Sequence, residues 1–385
     1  MQINESFNVK ENLSKDFSYS GGKILSSMNC EADPFALEVF RSNVEKNLGD
    51  PALFPGTIAV ETRVINILGS LFDLPSSGTG VILSGGSEAN LTALWAIRNN
   101  NASSHNQQKP EIIAPESVHI SIDKAADLLQ LKLIKIPTTP QYQADLEAIS
   151  DAISKKTIAL IGVAGTTAFG TIDPLKELDD ICQTYELDLH IDAAFGGLIF
   201  PFLPKIHSNF NLSFDDLQSL VSITVDIHKM GRVPIPGGGL LWRDATYPIA
   251  IQFTLPYLAG KPKQITITGT RTGASAIAFA SLWEKNGFQG FQETVMSCLE
   301  NTRYLSVELE KRGLLIPIKP VINILGVTTP SDFPFNVLEL HKILWQHGWT
   351  TTIVNGRLRF VVMPSTTKNQ LRNLIFLIDQ LISDG

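Results

Sequence analysis

Cysteine is scarce in this 385-residue sequence: Cys30, Cys182 and Cys298 stand far apart, with no CxxC. That excludes a disulfide framework and a thiolate metal centre, and it fits free thiols in a reducing compartment. Its seven histidines form no cluster at metal-ligand spacing, so no metal is expected. Blocks of Lys or Arg are absent and the formal net charge is −7, which argues against a nucleic-acid-binding surface. Long apolar runs are missing too. The longest uncharged run, 157–172, is broken by Gly, Thr and Ala, so no membrane span is expected. Segment 1–17 is polar and mixed in charge, unlike a secretory leader. A soluble, cytoplasmic protein is the expectation.

What is present is an ordinary globular composition, 44% hydrophobic and 18% charged, with enough length for one large domain and a smaller one. Residues 1–20 read as a loosely structured arm. Helical periodicity runs over 34–48 and again over 57–71, around an apolar, turn-rich loop at 49–56. From residue 80 short strands and helices alternate, the pattern of an α/β domain with a mostly parallel sheet. Strands are expected at 80–84, 111–114, 131–136, 158–163, 188–192, 222–225 and 239–242. Helices are expected at 87–98, 117–129, 145–153 and 174–185. A helix at 275–285 opens a C-terminal part ending in a strand at 358–363 and an amphipathic helix at 368–383. The resulting division is an N-terminal segment 1–56, a large domain 57–274 and a small α+β domain 275–385.

Four strand ends carry chemistry. Ser222-Ile-Thr-Val-Asp-Ile-His-Lys-Met-Gly231 starts as a buried strand and stops at Asp226, His228 and Lys229. A lysine there is either a solvated turn residue or an amine held dry enough to form an imine with an aldehyde. Ser84-Gly-Gly-Ser-Glu-Ala-Asn90 joins a strand to a helix, and free N–H groups at a helix start suit a phosphate. Many helices also begin that way with no ligand. His119 is either a capping residue or a flat ring that stacks on an aromatic ligand. His190-Ile-Asp-Ala-Ala-Phe-Gly-Gly197 closes a strand with Asp192, where ligands of open parallel sheets bind. Asp192 could cap the next segment or pair with a protonated ring nitrogen. Thr166 and Thr167 follow another strand toward the same edge. Together these are the groups needed to hold pyridoxal 5'-phosphate, a combination much more specific than any member.

Taken in chain order, with Gly165-Thr-Thr between His119 and His190, the motifs resemble the group II pyridoxal-phosphate decarboxylases of fold type I. Ile24-Leu-Ser-Ser-Met28, Asn47-Leu-Gly-Asp-Pro-Ala-Leu-Phe-Pro-Gly-Thr57 and Pro234-Ile-Pro-Gly-Gly-Gly239 resemble the archaeal-type L-tyrosine/L-aspartate decarboxylases. Thr268-Gly-Thr-Arg-Thr-Gly273 and Leu358-Arg-Phe-Val-Val-Met-Pro364 extend that likeness over nearly the whole chain. Ser87, Thr272 and Gly237 depart from the residues usual there, and none is a group that must ionise.

The resemblance implies an amino acid decarboxylase releasing CO₂ and an amine, with L-aspartate (to β-alanine) or L-tyrosine (to tyramine) as substrate. Lys229 would bind the cofactor aldehyde, Asp192 would hold the ring nitrogen, and His119 would stack on the ring. Gly86 and Ser87 would hold the phosphate, helped by Thr268 or Gly269 from the second subunit of a homodimer with shared sites. His228, Thr167 and Ala194 would complete the cofactor pocket. For the substrate, Arg359 is the expected carboxylate clamp with Arg357 beside it, and Tyr257 is a possible proton donor. Met28, Phe54, Phe169 and Phe253 would line an apolar pocket; Arg271 would be a second cation for an acidic one. The same cofactor also serves carbon–carbon lyases of the sphingoid-phosphate type and aminotransferases. A non-catalytic relative is the third reading.

Overall fold

The computed structural model describes residues 8–102, 109–203 and 212–384. Of the arm expected at 1–20, residues 1–7 lie outside that range, and the rest contains a five-residue helix, α1 (Val9–Leu13), that buries nothing. Helix α2 (Pro34–Ser42) starts where the Asp33 carboxylate accepts the Phe35 N–H. It stops six residues short of the expected 48, because tertiary pairing takes over: the Leu48 N–H donates to the Arg271 carbonyl. Helix α3 (Pro55–Ser70) begins on a proline, whose missing N–H costs nothing at a first turn.

The large unit is a seven-stranded sheet. In chain order its elements are β1 (Thr79–Leu83), α4 (Gly86–Asn100), β2 (Glu111–Pro115), α5 (Ile120–Leu128) and β3 (Lys132–Ile136). Next come α6 (Leu146–Ala152), β4 (Thr157–Val163), α7 (Leu175–Tyr185), β5 (Asp188–Asp192), β6 (Leu220–Val225) and β7 (Gly238–Trp242). The spatial order is β1-β7-β6-β5-β4-β2-β3. Strands β2, β4 and β6 are buried along their full length, as apolar strands covered by helices on both faces should be. Only β7 runs antiparallel, to β1 on one side and β6 on the other. Two reversals restore β1 to the direction of β6, so β1, β4, β5 and β6 all end along one edge.

After β7 come α8 (Thr246–Ile249) and a short hairpin of β8 (Phe253–Thr254) and β9 (Lys263–Gln264). Helix α9 (Ala274–Glu310) is far longer than the expected 275–285. Asn286-Gly287 reads as a stop; the structure has a kink there, with Gly287 at φ 59°, and the helix resumes. Phe279 before the kink and Phe291 and Val295 after it join the core under the sheet, while Leu305 and Leu309 join a second core.

That second core is built on β10 (Ile324–Val327), α10 (Val337–Gln346), β11 (Thr352–Val354), β12 (Arg357–Val361) and α11 (Lys368–Asp384). Its sheet has the order β10-β12-β11, antiparallel throughout. The N-terminal segment is clipped to it, since the Val361 N–H donates to the Leu25 carbonyl at 2.8 Å. This clip brings 26–29 in front of the large sheet's carboxyl edge. Among the described residues, no helix is long and apolar enough to cross a membrane.

Candidate active site

Along that edge lies a cavity of about 460 Å³. One wall is the turn from β1 into α4. A Cβ on Gly85 would stand 2.9 Å from the His228 ring, and one on Gly86 would stand 2.9 Å from the Ala194 methyl. Both contacts require glycine, and they leave the first-turn N–H groups of α4 facing the cavity with Ser87. The Glu88 carboxylate accepts the Ser84 N–H (2.9 Å) and hydroxyl (2.7 Å), which closes the turn.

The floor comes from β5 and β6. Asp192 is buried, with Oδ1 accepting the Ala194 N–H at 3.0 Å and Oδ2 accepting from the Asn90 amide at 2.8 Å. Lys229 follows β6 and reaches back so that Nζ lies 2.9 Å from Asp226 Oδ2; the other oxygen, Oδ1, is buried without a partner. His228 is held through Nδ1 by the Gly237 carbonyl. Burial pushes its pKa down, against the pull of Asp226.

His119 is the N-cap of α5, which therefore starts at Ile120 and not at 117 as the apolar spacing predicts. Its Nδ1 accepts the Ser121 N–H at 3.2 Å, so a cap fixes a ring that borders the cavity. Burial lowers this pKa as well, opposed by Asp192.

The far wall is Met28, Asn29 and Ser26 from the clipped segment, with Arg359 on β12. Arg359 is only 4% exposed, and one nitrogen donates to the Ser26 carbonyl at 2.9 Å. Nε and Nη2 are buried with no partner among the described residues. Burial pulls the guanidinium down to about 10. Two unpartnered donors on a buried cation form a fork that a carboxylate would satisfy.

Lys229, Asp192, His119, Gly86, Ser87, Thr167, Ala194, His228, Arg359 and Met28 thus meet in one cavity. Others expected at the site do not line the cavity of their own chain. Tyr257 is 77% exposed in the loop between β8 and β9. Phe54 caps α3, and Phe253 stacks on Trp95. Thr268 lies outside Glu88 and donates to its carboxylate at 2.9 Å, while the Gly269 carbonyl packs against Gly49. Phe169 is buried elsewhere, and Arg357 lies over it and Tyr142, donating to the Tyr142 hydroxyl at 3.0 Å. Arg271 is paired with Glu61 at 2.9 Å. Both cations are therefore occupied by structural contacts.

Sequence reasoning left Asp226 and Asn90 without roles. Asp226 stands at i, i+3 to Lys229, a spacing that brings the two together in a turn. Asn90 is a poor helix former on an otherwise apolar buried face, with Ala89, Ala93 and Leu94. Ser26 lies in the motif Ile24–Met28 with no role assigned to it and Asn29 lies just past it; the clip that places both is long-range.

Beneath Asn90 lies His190, fully buried, which burial pushes down to about 4. A His whose folded pKa lies below its unfolded value binds fewer protons folded than unfolded between the two. Its contribution is therefore complete above about pH 6.5 and is lost as pH falls toward 4, about 3 kcal/mol in total. His190→Gln removes the titration. Denaturant melts at neutral pH and at pH 4 should show the parent losing more stability than the variant; parallel losses would refute this.

The groups fit pyridoxal phosphate by the chemistry of the set: a helix N-terminus for a dianion, a buried carboxylate for a ring nitrogen, an amine for an aldehyde. Comparison with known proteins agrees. The pattern described as "Pyridoxal-dependent decarboxylase conserved domain" matches residues 25–348. The chain is similar to the L-aspartate/L-glutamate decarboxylase of Pyrococcus horikoshii, 37% identical over 378 residues, covering 97% of this chain and 96% of that one. It is also similar to the probable L-tyrosine/L-aspartate decarboxylase of Methanothermobacter thermautotrophicus, 41% identical over 360 residues, covering 93% and 97%. A solved glutamate decarboxylase of Lactobacillus brevis shares the fold, with a TM-score of 0.89 at 23% identity, covering 100% of this chain and 94% of that one.

Proposed function

From the premise that the chain belongs to the pyridoxal-dependent decarboxylase family, we propose that it decarboxylates a small acidic L-amino acid, L-aspartate first, giving β-alanine and CO₂. The observation that carries decarboxylation is Arg359, a buried cation whose two unpartnered donors face the same cavity as Lys229, while the choice of aspartate is supported by the relatives' names and by the short polar wall beside it. The other side chains on that wall, Ser26 and Asn29, are short and polar, and Met28 is its one large apolar residue. Phe195 borders the cavity but Phe54, Phe169 and Phe253 do not, which favours L-aspartate over L-tyrosine in this reading.

When bound, the cofactor supplies an aldehyde for the substrate amine and a ring that takes up the electrons left as CO₂ departs. Lys229 is the amine that binds the cofactor, and Asp226 holds its ammonium when it is free. Asp192 pairs with the ring nitrogen. The α4 turn, with Gly86, Ser87 and His228, binds the phosphate. His119, Thr167 and Ala194 fix the ring between them. Arg359 clamps a substrate carboxylate, and its burial keeps water from competing for the fork. A panel of L-amino acids assayed for CO₂ release tests the reading. L-aspartate is expected fastest, L-tyrosine or L-glutamate slower; amino transfer to a keto acid with no CO₂ would sink it.

The functional unit in this reading is a homodimer in the cytoplasm, its three cysteines free. Thr268 lies just outside the α4 turn, and Leu53, Phe253, Tyr257 and Ile267 are exposed large hydrophobic residues. A second copy packed over the α4 turn would add to each site and cover such residues. Sedimentation and activity measured over one dilution series should fall together. A monomer with full cofactor and full turnover would refute the shared site.

A further inference from the structure

Below the cavity floor is a cluster of polar side chains that the reaction, as described, does not use: Asn90, Ser121, His190, Ser222 and Thr224, all at most 2% exposed. The Asn90 amide nitrogen donates to Asp192 Oδ2 (2.8 Å) and to the Ser121 hydroxyl (2.9 Å). Its carbonyl oxygen accepts from the Thr224 hydroxyl (2.8 Å) and from His190 Nε2 (3.0 Å). His190 Nδ1 meets the Ser222 hydroxyl at 2.8 Å, and the Ser121 hydroxyl meets His119 Nδ1 at 2.9 Å.

With His190 neutral, one arrangement of hydrogens satisfies the contacts of Asn90, Ser121 and the two imidazoles. Reversing the Asn90 amide would set its oxygen against Asp192 Oδ2, two acceptors at 2.8 Å. With the amide fixed, its oxygen needs donors, so His190 carries its proton on Nε2. Being fully buried and neutral, His190 then accepts from the Ser222 hydroxyl at Nδ1. At the other end, Ser121 has accepted from Asn90 and must donate its own proton. The acceptor is His119 Nδ1, which also takes the Ser121 N–H. His119 is thereby held as the tautomer with its proton on Nε2.

We propose that Asn90 is a positioning residue that locks Asp192 and His119 into one unit. It aims the carboxylate at the ring-nitrogen position, and through Ser121 it sets which nitrogen of the cavity-facing imidazole carries the proton. His190 and Ser222 are the outer end of the lock, since they fix which way the Asn90 amide points. The inference rests on the reading of Asp192 and His119 as cofactor contacts. A buried network in which every member is satisfied specifies a single geometry, and losing one member leaves several groups unpaired.

Asn90→Asp is the discriminating variant, because it keeps the shape and the acceptor for His190 and Thr224 but loses both N–H donors. It places a second carboxylate against Asp192, so the pair must share a proton. Holoenzymes of parent and variant are dialysed to equilibrium and bound pyridoxal phosphate is read by absorbance from pH 5.5 to 8.5. The variant-to-parent ratio of Kd is expected to be roughly tenfold or more at the alkaline end. It should shrink toward the acid end, where the shared proton restores a donor to Asp192. A ratio near one across the range would overturn the proposal. So would a large ratio that does not change with pH, which is what mere misfolding gives. His190→Gln and His190→Leu serve as a second pair: Gln keeps an N–H donor to Asn90 and should retain kcat within about twofold, while Leu should lose roughly tenfold. Equal losses in the two would also overturn it. A parent that binds no pyridoxal phosphate would instead remove the reading on which the proposal rests.

Discussion

Lys229→Ala is expected to abolish turnover and to leave no cofactor that borohydride can fix to the chain. The amine of Lys229 shares the cavity with the α4 turn and Asp192, and among the described residues no other lysine lines it. The alanine variant has a side effect that must be separated from chemistry. Asp226 is 2% exposed and loses the lysine it pairs with, which leaves a buried carboxylate with His228 at 3.8 Å as its nearest basic partner among the described residues. Removing one member of a buried pair costs about 3–5 kcal/mol, less here because the lysine end is partly open to solvent. A lower melting temperature is therefore expected alongside the inactivity. Lys229→Arg resolves the two effects, because a guanidinium can still pair with Asp226 but does not form the imine. The arginine variant should melt near the parent temperature and still show no turnover. Turnover in a folded Lys229→Arg protein would remove Lys229 from its assigned role.

The second large effect is expected at Asp192. Its carboxylate is aimed by two donors, the Ala194 N–H and the Asn90 amide, and it is buried where a charge interacts strongly. Preorganised contacts of this kind are worth about 2.7–4 kcal/mol in catalysis, so Asp192→Ala should lower kcat by about 10²–10³-fold. Alanine also leaves the two donors unpaired, at a stability cost of about 1–3 kcal/mol each at most. Asp192→Asn keeps an oxygen for one of them, so it should be the more stable variant while losing nearly as much rate. Stopped-flow rates together with thermal melts of both variants separate charge from packing. Near-parental rates in either would mean that the ring nitrogen is held by another group.

The sequence by itself determined the parts that depend on local order. Apolar runs punctuated by turn residues set the strands, because a period-two or fully apolar stretch has few other ways to be buried. The chemistry-bearing residues were legible because they end those strands, and strands that run the same way put their ends on one edge. Lys229, Asp192, His119 and the Gly85–Gly86 turn are all of this kind.

Whatever depends on distant segments meeting was decided only by the tertiary structure. Ser26 and Asn29 enter the site through the Leu25–Val361 clip, a pairing that no local pattern encodes. Arg359 and Arg357 look equivalent on one strand, yet Tyr142 and Phe169 take up Arg357 and leave Arg359 facing the cavity. Arg271 reads as a free cation until Glu61, from α3, pairs with it. Asn90 shows the same limit from the other side. Its helical position was plain, but its role depends on β5, β6 and α5 converging beneath it, because a hydrogen bond exists only where its second partner arrives.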